Sequence, residues 1–423
     1  MKKYYSLIDK VYRLENLQMA YIKVKSNKGA PGIDGETVGD FGAKLEENII
    51  KLHEELKTGI YEPQPVRRTH IEKPDGGTRP LGIPAVRDRV VQQALLNILE
   101  PIFEPEFHPS SYGYRPGKSP QQAVAKAERF MNKFGLRHVV DMDLSKCFDT
   151  LDHELILKAV NRRVSDGKVL KLIREFLKAG VMEGDKISNP EMGSPQGGVI
   201  SPLLSNIYLN EFDQKMKEQG IRIVRFADDI LVLARTKWEA GRYGAIARNT
   251  LEKELKLKIN REKTHITSVD QGVAFLGFVI NPKWISIHPK RIKRFKDKIR
   301  KLTPRNHGKN VEEMVKELNP VIRGWANYFR IANGKGIFKG LMAWIRRRLR
   351  MKKMREWKTW RPLHKQLHRL GYHGEFEKIS VTRWKNSCSP LIHYALPNSW
   401  FDDMKLVNLE TFKVGILHHY YEI

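Results

Sequence analysis

Two short apolar segments on either side of a pair of carboxylates are the feature that most restricts how this chain can fold. Residues 221–226 (IRIVRF) and 230–234 (ILVLA) are rich in β-branched and apolar side chains. Segments this short and apolar predict two mostly buried strands joined as a hairpin. Asp228 and Asp229 then lie at the hairpin tip. Because Asp is common in turns, where it bonds its own backbone, the hairpin alone leaves the role of the carboxylates open.

The charge of the chain predicts a polyanionic partner. Its 423 residues carry 76 Lys and Arg against 48 Asp and Glu, a formal net charge of +28, and 41% of them are hydrophobic. This composition predicts about two to four globular domains. The surplus of positive charge favours nucleic acid as the partner, with an anionic membrane as the second candidate. No signal peptide and no stretch of ~18 apolar residues is visible, so we expect a soluble cytoplasmic protein.

Cysteine and histidine residues give no sign of a zinc site. Cys147 and Cys388 are far apart and form no C-x-x-C motif, so neither a disulfide framework nor a zinc knuckle is predicted. His364 and His368 have the i, i+4 spacing of zinc ligands. With no third ligand near them in sequence, a solvated basic helix is the better interpretation.

Most of the excess positive charge lies in one segment. Residues 290–361 hold 24 Lys and Arg but 5 Asp and Glu. Helical spacing of apolar residues predicts three helices, over 290–302, 311–332 and 338–360. Aromatic residues recur among the charges, and we interpret most of them as helix cores: Trp325, Tyr328, Phe329, Trp344, Trp357 and Trp360. A helical bundle with a strongly basic surface suits a nucleic-acid duplex, because each neutralised phosphate releases counterions.

Helical and strand patterns are mixed in the first 289 residues, which predicts an α+β class. Segments 89–107 and 119–134 have helical patterns, the second with Ser119 as N-cap and Pro120 at the first helical position. In a predicted strand that follows, Asp141 and Asp143 share one face. Either could supply a third carboxylate beside the hairpin, and the spacing alone does not choose between them.

Several ordered motifs carry a family resemblance. DMDLSKCFD (141–149), SPQGGVISPLLSNIYLNEFD (194–213), FADD (226–229), KINREKTHI (258–266) and AFLGF (274–278) resemble the palm motifs of a reverse transcriptase. NKGAPGIDG (27–35), IEKPDGGTRPLGIP (71–84), SYGYRPGKSPQQA (111–123), LNPVIRGWANYFR (318–330) and WIRRRLR (344–350) resemble, more narrowly, the group II intron-encoded reverse transcriptase/maturase family. Nothing after residue 361 resembles an HNH nuclease domain, so the chain is similar to the short, endonuclease-lacking, bacterial class C-like type.

The resemblance implies an α+β right-hand polymerase with fingers, palm and a helical thumb. The implied segments are 1–70 for an N-terminal extension and the start of the fingers, 71–285 for fingers and palm, 286–360 for the thumb or maturase domain, and 361–423 for a small C-terminal DNA-binding domain.

In the palm, the resemblance assigns the catalytic carboxylates to Asp143, Asp228 and Asp229, and so selects Asp143 over Asp141. Nucleotidyl transfer is an in-line attack on a phosphate, which two Mg²⁺ ions can assist at the entering and leaving oxygens. The implied ligands of these two ions are the three carboxylates and the backbone carbonyl of Leu144. Three crowded carboxylates are costly unless cations neutralise them, so the ions would explain the crowding.

The other implied site residues contact nucleotide or nucleic acid. The nucleotide-binding set is Lys73, Arg79, Phe148, Gln196 and Lys263, with Phe148 excluding a 2′-hydroxyl and Lys263 placed to protonate pyrophosphate. The template and primer set is Arg115, Phe226, Gly197, Leu276 and Gly277, although Arg115 could instead brace the fingers. Phe226 stands where the family's YADD motif has tyrosine, which keeps the ring and removes the hydroxyl.

The implied function is RNA-directed DNA synthesis, with binding of the parent group II intron RNA, assistance to its splicing, and mobility by target-primed reverse transcription. The implied partners are intron RNA, an RNA template with a DNA primer, target DNA and dNTPs. Three alternatives remain: a domesticated reverse transcriptase in defence or DNA repair, a non-catalytic splicing scaffold, and an RNA polymerase. A scaffold has little physical reason to keep three crowded acids, and an RNA polymerase needs the space that Phe148 should occupy.

We expect the affinity for structured RNA to fall steeply with salt, because the 290–361 surface should neutralise many phosphates. Neutralising 6–10 phosphates corresponds to a loss of about 10³-fold or more between 50 and 200 mM salt. Fluorescence anisotropy with a labelled RNA, titrated at several salt concentrations, measures this slope. A dissociation constant independent of salt would contradict the prediction.

Overall fold

The computed structural model describes residues 2–72, 77–184, 186–188, 192–193, 197–304 and 308–421. The chain forms two compact units, Met1–Ser268 and Val269–Ile423. The predicted fingers and palm segment, 71–285, therefore ends inside the second unit. Among the described residues, no helix combines the length and the apolar character needed to cross a membrane.

Among the residues described between 2 and 103, five helices form the N-terminal layer of the first unit. They are α1 (Ile8–Val11), α2 (Leu14–Ser26), α3 (Val38–Ala43), α4 (Leu45–Thr58) and α5 (Val86–Phe103). α5 is buried along most of its length, and α1 to α4 pack against it. Leu17, Leu52 and Leu95 fill the core between them. The helix predicted over 89–107 is confirmed, with its start at Val86 and its end at Phe103.

The described part of the first unit also contains eight strands and five further helices. The strands are β1 (Val66–Glu72), β2 (Thr78–Ile83), β3 (His138–Asp143), β4 (Val181–Glu183), β5 (Lys186–Ser188), β6 (Arg222–Phe226), β7 (Asp229–Ala234) and β8 (His265–Ser268). The helices are α6 (Pro120–Glu128), α7 (His153–Asn161), α8 (Gly167–Lys178), α9 (Ser201–Glu218) and α10 (Lys237–Asn249). Short 3₁₀ turns occupy Glu104–Glu106 and Cys147–Thr150.

Two four-stranded sheets organise these elements. The smaller sheet has the order β2-β1-β4-β5 and combines an antiparallel β1–β2 hairpin with a parallel β1–β4 pair. The larger sheet has the order β6-β7-β3-β8 and is antiparallel throughout. The predicted hairpin is confirmed, because β6 and β7 pair with Phe226 opposite Asp229.

Alternation along the strands divides the larger sheet into two faces. Ile223, Ile230 and Val232 point to one face, where α9 and α10 pack and the main core lies. Residues one position along the strands point to the other face, since side chains alternate with a period of two. Asp143 and Asp229 lie on this second face, away from the core.

The predicted start of α6 is confirmed in detail. Ser119 Oγ accepts the N–H of Gln122, and Gln122 Oε1 accepts the N–H of Ser119, which forms a capping box. Pro120 takes the first helical position, where its missing N–H costs nothing. The helix then passes into a π-helical turn over Arg129–Lys133, and α10 ends in a similar turn over Thr250–Glu254.

The second unit begins with a small antiparallel sheet and continues as helices. The sheet has the order β11-β10-β9, built from β9 (Val273–Phe275), β10 (Phe278–Ile280) and β11 (Ile285–Ile287). The helices are α11 (Pro289–Leu302), α12 (Val311–Phe329), α13 (Lys335–Trp357), α14 (Arg361–Arg369), α15 (Pro390–Ala395) and α16 (Asn398–Asp403). Short 3₁₀ turns lie at Trp384–Cys388, Leu409–Thr411 and Leu417–Tyr420. The three helices predicted between 290 and 360 are confirmed.

Aromatic residues of α11 to α13 fall into two groups. Trp325 stacks on Phe295 with ring centroids 4.5 Å apart and contacts Phe329 and Phe338, so it belongs to the core as predicted. Trp344 instead lies among cations: Lys296, Arg300 and Arg348 stand 5.4–5.8 Å from its ring centre.

The C-terminal residues pack in the same unit as these helices. Leu363, Ile392 and Leu396 form a small core with Met354 from the end of α13. Further along, Glu410 pairs with Arg346 across 2.6 Å. His368 stacks on Phe376 with ring centroids 4.4 Å apart. The described residues after 361 thus share their packing with α13.

Candidate active site

A row of three side chains crosses the end of the larger sheet. Asp143, the last residue of β3, pairs with Asp229, the first residue of β7, which pairs in turn with Phe226 at the end of β6. Directly opposed residues project to the same face of a sheet, so these side chains are neighbours. Asp141 lies opposite Leu231, further from the hairpin turn. The register therefore distinguishes the two candidate strand carboxylates, and Asp143 is the one beside the hairpin tip.

The turn that carries Asp228 has a strained backbone. Ala227 and Asp228 form the two-residue connection between β6 and β7, and Ala227 has φ of 56°. A residue with a Cβ in this left-handed region costs on the order of 1–2 kcal/mol. Such a conformation persists where neighbouring contacts impose it, and it is frequent at functional sites.

Burial and like charge raise the pKa values of Asp228 and Asp229. Desolvation is the largest influence on the pKa of Asp228, which is raised, and repulsion from Asp143 adds to it. The side chain of Asp229 is partly open to solvent, yet desolvation by the surrounding protein, followed by repulsion from Asp228, Asp143 and Asp141, raises its pKa to about 7. Burial raises the pKa of Asp141 to about 6. This end of the sheet holds more negative charge than the protein around it neutralises.

Two cations of the predicted nucleotide-binding set lie within electrostatic reach of the carboxylates. Lys263 Nζ stands 3.2 Å from Asp143 Oδ2. Arg79, an exposed residue of β2, lowers the pKa of Asp228 against the stronger effect of burial. Asn260 anchors the turn that presents Lys263: its N–H donates to Asp143 O over 2.8 Å, and its Oδ1 accepts the N–H of Glu262.

A cleft of about 860 Å³ opens beside these residues. Five predicted site residues line it: Arg79, Asp143, Leu144, Asp228 and Lys263. Its walls come from the β1–β2 hairpin, the end of β3, the hairpin turn and the loop before β8. Lys73 and Gln196 lie outside the described residues. The structure thus brings together predicted residues that are up to 184 positions apart in sequence, as with Arg79 and Lys263.

Phe148 lies next to this cleft, between two of its lining residues, Cys147 and Asp149. The Phe148 side chain is 6% exposed, and its ring meets the edge of Tyr114 at a centroid distance of 6.1 Å. Tyr114 has φ of 56° and a raised pKa, caused first by burial and next by the charge of Asp228. Sequence reasoning missed Tyr114, although it stands in the YGYRPG motif.

Gly197 and Arg115 are engaged with the protein itself. Gly197 has φ of 116°, and a Cβ there would lie 2.2 Å from the carbonyl oxygen of Gly82 in β2, so only glycine fits. Arg115 forks onto Glu104 and donates to the carbonyls of His108 and Ser111. These contacts favour the bracing alternative for Arg115 over a template contact.

Leu276 and Gly277 form a two-residue turn in the second unit. They connect β9 to β10, with φ of 50° and 87° respectively. Positive φ at both positions is the type I′ hairpin geometry, which a bulky Leu rarely adopts. Tyr328 of α12 donates its hydroxyl to Leu276 O over 3.0 Å and so helps to hold the turn.

The donor chemistry at the end of the sheet fits a hard divalent cation. Mg²⁺ prefers carboxylate oxygens together with water and substrate phosphates. Asp228 and Asp229 are crowded carboxylates with raised pKa values, and Asp143 beside them is paired with Lys263. In the described part of the chain, however, no group of three or more His, Cys, Asp or Glu side chains is arranged to hold an ion by itself. A site here would need ligands from substrate or solvent as well.

Sequence reasoning missed the residues that contact the hairpin turn from the sheet face on which α9 packs. Arg225 is fully buried, together with its partner Asp213. A signal was present, because a period of two puts Arg225 on the same strand face as Ile221 and Ile223, where an apolar residue is expected. Gly113 and Asn206, in two other motifs of the chain, contact the same region.

We expect Asp229→Asn to stabilise the metal-free protein more at pH 8 than at pH 5. The folded-state pKa of about 7 lies above the ordinary 3.8, so the free energy of unfolding falls as pH rises between these values, and asparagine removes that loss. Because Asp229 is exposed, solvent screening limits the gain to about 1 kcal/mol.

Urea unfolding in EDTA at the two pH values measures this effect. Asp9→Asn on α1, a surface carboxylate whose side chain is 44% exposed, controls for the loss of one negative charge. If Asp229→Asn raised the free energy of unfolding equally at both pH values, the effect would not arise from ionisation of the Asp229 carboxyl.

Comparison with protein families identifies two consecutive domains. The reverse transcriptase (RNA-dependent DNA polymerase) family matches residues 71–280. The maturase-specific domain of group II introns matches residues 292–371. Both assignments agree with the motifs noted in the sequence.

The chain is also similar to individual proteins, two of which are intron-encoded by name. The chain is 39% identical to Protein YkfC of Escherichia coli (strain K12) over 60% of this chain and 76% of that protein. It is 43% identical to the group II intron-encoded protein LtrA of Lactococcus lactis subsp. cremoris over 46% of this chain and 32% of LtrA. A putative COX1/OXI3 intron 1 protein of Saccharomyces cerevisiae is 34% identical over 50% of this chain and 25% of that protein. The chain thus spans about a third or less of these two intron-encoded relatives.

A reverse transcriptase domain built on a carboxylate-bearing antiparallel sheet is followed here by an intron maturase domain. The predicted resemblance and the α+β right-hand polymerase fold are confirmed. The chain therefore belongs to the group II intron-encoded reverse transcriptase/maturase family and is an RNA-directed DNA polymerase.

Proposed function

We propose that the end of the larger sheet is the polymerase centre, with Asp143, Asp228 and Asp229 as its catalytic carboxylates. The observation that carries this proposal is their crowding beside a cleft that Arg79 and Lys263 line, where burial and like charge raise the pKa values of Asp228 and Asp229. Carboxylates that the protein leaves under-neutralised have affinity for cations. Two Mg²⁺ ions bound here would stabilise the entering and leaving oxygens of an in-line displacement at phosphorus.

The residues of the cleft have separate tasks in this proposal. Arg79 contributes a guanidinium that suits the oxygens of an incoming triphosphate, and the β1–β2 hairpin extends it into the cleft. Lys263 neutralises Asp143 before substrate binds and stands where an ammonium could protonate departing pyrophosphate. The backbone carbonyl of Leu144 completes the proposed ligand set, and Lys73 and Gln196 complete the proposed nucleotide contacts.

Nucleotide selection rests, in this proposal, on Phe148. Its ring is held by the surrounding core and by the edge of Tyr114, so it cannot easily turn away from a sugar placed against it. A rigid ring under the sugar leaves room for a hydrogen and excludes a 2′-hydroxyl. Phe226 lies beside Asp229 and would pack against the primer terminus.

We further propose that the second unit binds the parent intron RNA and assists its splicing. The match to the maturase-specific domain over 292–371 and the 24 Lys and Arg of residues 290–361 support this role. Trp344, surrounded by Lys296, Arg300 and Arg348, offers a stacking surface among phosphate-binding cations. Copying of the intron into target DNA, with segment 361–423 contacting that DNA, completes the proposed mobility pathway.

We expect Asp228→Asn to abolish primer extension on an RNA template with Mg²⁺ and dNTPs. Removing one charged ligand of a metal-assisted phosphoryl transfer costs several kcal/mol of transition-state stabilisation, which corresponds to about 10³-fold or more in rate. Asp9→Asn, the same chemical change on the surface of α1, should extend the primer like the parent protein.

Binding of structured RNA by the parent and both variants should be equal in the same preparations. If Asp228→Asn extends the primer at the rate of the parent while all three proteins bind RNA tightly, Asp228 is not part of the polymerase centre and the proposal fails.

We expect Phe148→Ala to raise ribonucleotide incorporation relative to deoxyribonucleotide incorporation by about 10- to 100-fold, since steric discrimination in a pocket is of this order. Competing single-nucleotide incorporation of a ribonucleotide and its deoxy counterpart measures the ratio. Phe176→Ala is the matched control, because Phe176 is 5% exposed in the core against Tyr61. It should lower stability without changing the ratio, and an unchanged ratio in Phe148→Ala would remove Phe148 from nucleotide selection.

A further inference from the structure

A buried arginine lies directly beneath the turn that carries Asp228. Arg225 precedes Phe226 on β6 and projects to the opposite face of the sheet, among the residues that pack on α9 and α10. It is fully buried, and it is the largest of the fully buried side chains in the described structure. Burying a guanidinium is costly unless every donor finds a partner, so its contacts decide what it does.

Two residues of α9 hold the guanidinium in place. Nε donates to both carboxylate oxygens of Asp213 over 2.9 Å, and Nη2 donates to Oδ2 over 2.6 Å. Nη1 donates to Asn206 Oδ1 over 3.0 Å. Asp213 is itself 0% exposed. The forked geometry fixes the plane of the guanidinium as well as its charge.

The remaining contact of Nη1 reaches the turn itself. It donates to Ala227 O over 3.1 Å, and Ala227 is the residue with φ of 56° that connects β6 to Asp228. A hydrogen bond from a buried, immobilised charge to this carbonyl favours the strained conformation over alternatives that turn the carbonyl away. The orientation of Asp228 follows from that conformation, because the two residues share a peptide unit.

The loop that leads into the YGYRPG motif also contacts Arg225 and the Ala227 turn. Arg225 N donates to Ser110 O and Tyr112 N donates to Arg225 O, each over 2.9 Å. Asn206 Nδ2 donates to Gly113 O over 2.8 Å. A Cβ on Gly113 would stand 2.2 Å from Ala227 N, so the loop backbone lies against the turn with no space between them.

The ion pair is poorly explained as a source of stability. Well-packed apolar residues of similar volume commonly replace a buried ion pair with no loss of stability, or with a gain. The face that Arg225 occupies is otherwise apolar, as Ile223 and Ile230 show. A requirement for a fixed turn geometry does explain the contacts of Arg225. Fixing the turn needs a hydrogen-bond donor aimed at the Ala227 carbonyl, and an apolar side chain has no such donor.

We propose that Arg225, oriented by Asp213 and Asn206, is a positioning residue that clamps the Ala227 carbonyl and thereby sets the placement of Asp228 for nucleotidyl transfer. The inference rests on the proposed function of Asp228. It also assigns Gly113 a role, since the close approach of its backbone closes the other side of the turn. We call Arg225, Asp213, Asn206 and Gly113 the turn clamp.

The first test separates positioning from stability. The double variant Arg225→Met with Asp213→Leu replaces the ion pair by apolar side chains and leaves no donor for Ala227 O. We expect it to fold, with a rate constant for single-turnover primer extension at saturating dNTP reduced by about 10- to 100-fold, as for a catalytic group displaced by about 1 Å. The KM for dNTP should stay near that of the parent, because Arg79 and Lys263 are unchanged.

Two further variants and a control keep the test decisive if the double variant unfolds. Arg225→Lys keeps the charge and shortens the reach to Ala227 O, and Gly113→Ala disturbs the turn without touching the ion pair. Both should reduce the same rate constant. Leu52→Ala, in the core between α2, α4 and α5, is a control that lowers stability far from the sheet and should leave that rate constant unchanged below its unfolding temperature.

Binding of Mn²⁺, followed by electron paramagnetic resonance without nucleotide, gives a readout independent of turnover. We expect the turn-clamp variants to bind Mn²⁺ about 10-fold more weakly than the parent and Leu52→Ala to bind it equally. If the parent is active and the clamp variants match Leu52→Ala in rate and in Mn²⁺ affinity, the turn clamp is overturned while the proposed function stands. A parent that neither extends primers nor binds Mn²⁺ would overturn the proposed function and the turn clamp together.

Discussion

Repulsion between carboxylates at the end of one antiparallel sheet is the constraint on which the rest of this site depends. Two unit charges 4 Å apart interact with about 4 kcal/mol at an effective dielectric constant of 20, and Asp228 and Asp229 also lose hydration to the surrounding protein. On mobile loops these groups would move apart. Buried strands with fixed register prevent this, because a close-packed core does not deform continuously. The apolar runs beside Asp228 and Asp229 are therefore part of the site.

Each face of the larger sheet holds charged side chains whose placement depends on the same strand register. One face presents Asp143 and Asp229, and the other holds Arg225 under the turn with its charge matched by Asp213. A register slip of one residue would exchange the faces, which would expose the guanidinium and bury the carboxylates. Either change leaves unpaired charge in the core. The polar pair beneath the sheet thus opposes the same slip that the apolar pattern opposes.

Local patterns predicted the elements of this fold well, and distant contacts less well. The hairpin at Asp228, the helix start at Ser119 and the three basic helices follow from neighbours in sequence, and all three are confirmed. The parallel pairing of Val66 with Val181 joins segments that no local pattern relates. For the same reason the partner of Arg225 could not be predicted, although alternation alone marked Arg225 as a charge on a buried face. The roles of single site residues came from family resemblance, because spacing did not choose between Asp141 and Asp143.

Like charges repel one another along the basic helices of the second unit, and a bound polyanion would reduce this repulsion. In α11, Phe295 and Ile299 face the core while Lys and Arg cover most of the remaining surface. Like charges three or four positions apart destabilise a helix, so α11 depends on its apolar contacts, above all the stacking of Phe295 on Trp325. Bound phosphates would remove the repulsion without altering that core. In the proposed RNA complex, binding would then stabilise the helices that contact the RNA, which would couple the order of this unit to its ligand.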